Sequence, residues 1–160
     1  DVVVFNIGAN VRFSITETTG RVYRKVWEMA AFAGFLTGRE AAKHMLGRGR
    51  GTIIFTGATA SVRGSDGFCA FAGAKHALRA LAQSMARELG PKNIHVAHTI
   101  IDGAIDSNFI RENLPEVDKK READALLNPE HIAQNYVMLH KQLRTAWTHE
   151  LDLRPWKENW

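Results

Sequence analysis

The sequence predicts an α/β protein, three layers deep, built on a parallel sheet. Three observations predict it. Short apolar runs without alternation, Val2–Phe5 (VVVF), Thr52–Phe55 (TIIF) and Ile94–Ile101, fit strands buried on both faces. Two long segments between them carry apolar residues at helical spacing. The resulting order, strand–helix–strand–helix–strand, calls for right-handed crossovers and parallel pairing.

Taken in order, the first run ends at Asn6 and Gly8. Arg21–Leu46 follows as a helix, with Val22, Val26, Met29, Ala33 and Leu36 as its inner stripe, ended by Gly47, Gly49 and Gly51. After the second strand, Gly57–Gly67 is a loop of small residues. Phe71, Ala74, Leu78, Leu81 and Met85 mark one face of the next helix, which stops before Gly90-Pro91. Beyond the third strand, Ser107–Asn113 reads as a short helix and Glu116–Ala125 as a polar, mobile lobe. Asn128-Pro129-Glu130 has the form of a helix start leading to His140. His149–Leu153 reads as a last short strand before an aromatic tail, Trp156–Trp160. No linker or repeat divides residues 1–160, so one domain is expected.

Composition excludes several functions. The net charge of +4 comes from 21 basic and 17 acidic residues, too mild and too dispersed for a nucleic-acid binder. Arg48 and Arg50 form a tight basic pair before the mixed charges of Glu116–Glu122. The single cysteine, Cys69, rules out an internal disulfide and reads as a small buried hydrophobe; a cytoplasmic location is expected. No run of ~18 apolar residues exists to span a membrane, and the acidic start at Asp1 with a short VVVF run is unlike a signal peptide.

Metal and hydrolase chemistry find little support. His95 and His98, three apart on a strand, face opposite sides and share no ion. The Ser of GSDG at 64–67 directly follows its Gly, so no Gly-x-Ser-x-Gly elbow forms. Cys69 has no adjacent histidine but His76, which leaves a thiol nucleophile unsupported.

The segment Gly51–Lys75, GTIIFTGATASVRGSDGFCAFAGAK, carries the most information. It resembles the catalytic segment of the short-chain dehydrogenase/reductase family, in which a serine is followed thirteen residues later by Tyr-x-x-x-Lys. Lys75 matches the lysine. Phe71 stands at the tyrosine position and Ala58 at the serine position. The resemblance extends over nearly the whole chain. Asp1–Asn10 is similar to the family's fourth strand and Asn-Asn-Ala-Gly turn, of which Asn6 and Gly8 survive. Gly103 resembles the glycine of the loop after the sixth strand, with Asp102 where proline is usual. Ala30 falls at the position of a structural asparagine. The family's opening strand and glycine-rich turn have no counterpart. The resemblance therefore implies a Rossmann-like α/β fold, in its C-terminal part, from an N-terminally incomplete member.

The resemblance also implies roles. The lysine holds the cofactor ribose and lowers the tyrosine pKa; Phe71 has no proton to give and Ala58 no hydroxyl to steady an oxyanion. Thr59, with Ser61 and Thr56 nearby, is the candidate substitute, although such hydroxyls equally satisfy loop backbone groups. Asn6, Gly8 and Ala9 would line the adenosine-ribose side, although Gly8 also fits a plain tight turn. Gly103, Ala104 and Ile105 would meet the nicotinamide carboxamide, and Ser107 a phosphate. Asp102 and Asp106 would place negative charge against that phosphate. Lys75 is read as a ribose ligand or as a solvated lysine at a helix start. NAD or NADP is expected as cofactor if the N-terminal half is present, and none otherwise.

Three functions stay open at this point. The first is an oxidoreductase with a degenerate active site, acting on a small alcohol or carbonyl compound. The second is a non-catalytic dimerising or ligand-binding module. The third is a recruited activity such as hydrolysis. The family pairs two helices across a two-fold axis, so a homo-oligomer through helices 21–46 and 71–89 is implied. Their many alanines suggest close approach on a second face, although high helix propensity accounts for alanine too.

Overall fold

The computed structural model describes residues 1–158. Four strands form one parallel sheet in the order β1 (Val2–Phe5), β2 (Gly51–Thr56), β3 (Ile94–Ile101) and β4 (Glu150–Leu153). Register runs Val2↔Thr52 to Phe5↔Phe55, Gly51↔Ile94 to Thr56↔Thr99, and His98↔Glu150 to Ile101↔Leu153. All eight residues of β3 are buried, as befits a strand covered on both faces.

One face carries a long helical segment and α3 (Cys69–Leu89). Here Phe5, Ile53, Phe55 and Val96 meet Ala41, Met45, Leu78 and Ala82. Leu78 is fully buried, which stabilises the fold by about 1.5–3 kcal/mol. The opposite face carries α6 (Pro129–Lys141), whose Leu139 packs on Ile54 and Ala97. This helix starts as expected: Asn128 caps it by accepting from the Glu130 N–H at 2.8 Å, and Pro129 takes the first position.

The segment expected as one helix over 21–46 has three parts. Thr19 caps α1 (Gly20–Trp27), a π turn spans Glu28–Phe32, and α2 (Ala33–Arg48) ends at Gly49 in the left-handed conformation, φ 68°. The π turn holds one extra residue and rotates everything after it. Met29 and Leu36, expected inside, are therefore exposed. The inner stripe is instead Val26, Ala30, Ala31, Gly34, Gly38, Ala41 and Met45. Small residues suit it because α3 lies very close: a Cβ on Gly34 would stand 2.5 Å from Leu78 Cδ1. The alanines Ala30, Ala31, Ala70, Ala72 and Ala74 are buried together within the chain. The close approach that they permit is thus between the chain's own helices.

Other expectations need correction. Val2 and Val4 are 39% and 42% exposed, because α6 reaches over β2 and β3 but not over β1. Cys69 is half-buried, with its thiol 3.5 Å from Thr18 Oγ1. The polar lobe contains a short helix, α5 (Val117–Glu122), after α4 (Asn108–Asn113). In the aromatic tail Trp156 is exposed, and Trp160 lies outside the described residues.

Candidate active site

The C-terminal ends of β1, β2 and β3 and the start of α3 surround a cavity of about 600 Å³. In parallel α/β sheets this end is where ligands bind. Most residues singled out from the sequence line it: Asn6, Gly8, Thr56, Ala58, Thr59, Phe71, Lys75, Gly103, Ala104, Ile105 and Ser107, whereas Ala9, Ser61, Asp102 and Asp106 are not among its lining residues.

Lys75 is 3% exposed, which excludes a solvated lysine. Its Nζ donates to the carbonyl oxygens of Thr56 at 2.8 Å and Ile7 at 3.2 Å, the ends of β2 and β1. Burial without a carboxylate partner pushes its pKa down to about 8. Phe71, one turn earlier on α3, places its ring 5.7 Å from Nζ.

Thr59 lies at the cavity wall, but its hydroxyl donates to the Asp102 carboxylate. Asp102 is buried and also pairs with Arg154 at 3.2 Å. The hydroxyl is thus held by a carboxylate rather than by loop backbone. Ser61 Oγ accepts from the Ala58 N–H at 3.1 Å, which is the backbone role expected for such a group. Asp106 is held by Arg111 at 2.9 Å and Arg121 at 3.3 Å. Both arginines depress its carboxyl pKa, the Arg111 hydrogen bond most. The negative charge expected at this end of the cavity is therefore paired with guanidinium groups at both aspartates.

Gly103 adopts φ 140°, and a Cβ there would stand 2.8 Å from Pro155 Cδ, so the loop turns at a position suited to glycine. It sends Ile105 back to bridge Leu127 and leaves Ser107 as the cap of α4, accepting from the Ile110 N–H at 3.4 Å.

Sequence reasoning missed several wall residues, among them Arg63, Phe68 and Ile110. It also missed the buried polar group behind the cavity. His98 Nδ1 lies 3.1 Å from Glu150 Oε2, and Arg79 grips the same carboxylate with two bonds of 2.7 Å. Burial drives the His98 pKa down to about 4. Nothing local links residues 79, 98 and 150; the pairing of β3 with β4 and the packing of α3 on the sheet join them. His95 instead stacks on Trp147, with ring centres 4.8 Å apart, so the two histidines share no site. Among the described residues no cluster of His, Cys, Asp or Glu has the geometry to hold a metal ion. No described helix is long and apolar enough to cross a membrane.

The family model for short chain dehydrogenases matches residues 1–118. The chain belongs to the short-chain dehydrogenase family. A 3α-hydroxysteroid dehydrogenase of Mediterraneibacter gnavus is 30% identical over 156 residues, covering 94% of this chain and 62% of the relative. The crystal structure of a short-chain dehydrogenase from Rhodopseudomonas palustris is 52% identical, with a TM-score of 0.80 over 98% of this chain and 62% of that one. A 7α-hydroxysteroid dehydrogenase solved with NADH and 7-oxoglycochenodeoxycholic acid shares the fold, with a TM-score of 0.81 at 24% identity over 96% of this chain and 62% of that one. The chain thus spans about three fifths of the length of these family members.

The cavity's donor set suits one end of the family's dinucleotide. The Lys75 amine suits ribose hydroxyls, and Ile101, Ile105 and Phe71 offer apolar surface to a flat ring. Among the described residues no glycine-rich helix start is present to meet the pyrophosphate.

Proposed function

We propose that this chain forms the nicotinamide- and substrate-facing part of an NAD(P)-dependent oxidoreductase acting on a small alcohol or carbonyl compound, with a degenerate active site. One observation carries the reading: Lys75, Phe71 and Ala58, the counterparts of the family's lysine, tyrosine and serine, line one cavity beside Gly103 and Ile105.

A bound dinucleotide would supply or accept hydride. The residues of this chain would do the rest. Lys75 would hold ribose hydroxyls through its remaining N–H, while the Gly103–Ile105 backbone and Asn6 would orient the nucleotide. Phe71 would close the apolar wall in place of a proton donor. Thr59, committed to Asp102, is a poor substitute for the missing serine. Slow turnover follows from these losses, since a positioned acid contributes about 10²–10⁴-fold.

Titration calorimetry with NADH and NADPH tests the reading. Because the pyrophosphate contacts are missing from these residues, the 160-residue chain should bind either nucleotide weakly. A protein that also carries the family's N-terminal segment should bind in the micromolar range. Failure of that longer protein to bind would favour the non-catalytic module.

A homodimer is part of the proposal. Trp27, Phe32 and Phe35 stack in a row along the outer face of α1, the π turn and α2, each about 40% exposed. Such a ridge suits burial against a second copy of the same helices. A cytoplasmic location fits the lone, half-buried thiol.

A further inference from the structure

The cavity wall carries charge of one sign. Its lining residues include two cations, Lys75 and Arg63, and no aspartate or glutamate. The nearby carboxylates stand outside the lining and are already paired, Asp102 with Arg154, and Asp106 with Arg111 and Arg121. Asp66, the one acidic residue between β2 and α3, pairs with Arg12 at 3.5 Å. The two cations differ in what they offer. Lys75 Nζ is committed to the carbonyl oxygens of Thr56 and Ile7. Arg63 is exposed, and among the described residues no carboxylate lies within ion-pair distance of it.

The backbone fixes Arg63 close to the serine position. Its N–H donates to the Thr59 carbonyl oxygen at 3.1 Å, and the Thr59 hydroxyl is held by Asp102. Arg63 therefore shares one short, anchored turn with Ala58. Phe68 and Phe71, further along the same segment, and Ile110 on α4 add apolar wall. A guanidinium presents paired N–H donors that match the two oxygens of a carboxylate.

We propose that Arg63 is a specificity residue and that the site takes an oxo or hydroxy acid. Such a compound has an apolar body, a carbonyl or alcohol group, and a carboxylate that pairs with the Arg63 guanidinium. The inference rests on the function proposed above and adds the charge of the substrate. The same guanidinium chemistry would accept a nucleotide phosphate. Position favours the substrate: Arg63 belongs to the segment that carries Ala58 and Phe71, whereas Ser107, the expected phosphate contact, belongs to the loop after β3.

The test titrates the chain, free of nucleotide, with 3-benzoylpropionate and with its methyl ester, which differ chiefly in charge. Amide NMR shifts of Thr59, Phe68 and Ile110 read the binding. The acid should bind about tenfold more tightly than the ester. Salt at about 1 M should largely remove that advantage in the wild-type chain. Arg63→Gln, at an exposed position, should remove the same factor for the acid and leave the ester unchanged. Arg63→Lys should keep part of it, since it retains charge without the fork. Inorganic pyrophosphate probes the other source of negative charge, and Arg63→Gln should leave its binding unchanged. Equal binding of acid and ester, or acid binding indifferent to Arg63→Gln, overturns the proposal and leaves the carbonyl site standing. Weakened pyrophosphate binding with unchanged acid binding in Arg63→Gln assigns the cation to the nucleotide and also overturns it. If neither acid nor ester shifts these amides, the functional reading falls together with this one.

Discussion

Lys75 Nζ lies 5.7 Å from the centre of the Phe71 ring, one helical turn away on α3. The spacing is that of a lysine beside a phenol, but the ring has no hydroxyl. On the proposed function the pair keeps the family's spacing and lacks the phenol's proton. What the ring still offers is its face to a cation, worth about 0.5–2 kcal/mol, and an apolar wall that helps desolvate the amine.

Restoring the pair should restore chemistry. In a protein carrying the nucleotide-binding segment, Phe71→Tyr with Ala58→Ser should raise carbonyl reduction by about 10²–10⁴-fold, read as kcat/KM on a simple ketone. Ordinary rates in the unmodified protein would show that another group delivers the proton.

Lys75 should make stability rise in mild alkali. Its folded pKa of about 8 lies below the unfolded value of 10.5, so the unfolded chain binds more protons between these limits. Raising pH relieves the cost of a buried charge. From pH 7.5 to 9.5 the group should add about 2 kcal/mol to unfolding free energy. Urea melts of wild type and Lys75→Met should show this difference in slope; parallel pH profiles would count against a buried, easily neutralised amine.

His98 acts at the other end of the scale. Its folded pKa of about 4 lies below the 6.5 of an ordinary histidine, because burial opposes the imidazolium despite Glu150. The unfolded chain again binds more protons, so stability is lost as pH falls from 6.5 toward 4, by about 3 kcal/mol. His98→Gln should flatten that limb in denaturant titrations at successive pH values. A wild-type midpoint unchanged between pH 6.5 and 4.5 would contradict the assignment.

The aromatic ridge gives a prediction about assembly. Phe35 stacks on Phe32 at 6.1 Å and on the Arg39 guanidinium at 5.4 Å. Phe35→Glu should dissociate the dimer while leaving the fold intact, because Phe35 is 40% exposed in the single chain. Ala80→Glu on the exposed face of α3 should weaken it too. Sedimentation would read both, and a folded wild-type monomer at high micromolar concentration would refute the interface.

Local signals in the sequence were enough for the order of the main strands and helices, the cap at Asn128 and the shared face of Phe71 and Lys75. Each rests on neighbours along the chain: β-branched runs, a 3.6-residue period, and the i, i+4 spacing that puts Phe71 and Lys75 on one face. The tertiary structure decided what those residues experience. Lys75 loses its solvent because two strand ends and a ring close around Nζ, and desolvation depends on atoms 19 and 68 residues away. The Thr59 hydroxyl is taken up by Asp102, which Arg154 also holds, and these two residues arrive from the segments after β3 and β4. The inner face of 20–48 follows a π turn, which the apolar spacing alone does not reveal. Val2 and Val4 look like core residues, yet they are exposed because no described helix covers that side of β1. A side chain's type and period are local, but its burial and charge state are set by contacts that only folding brings together.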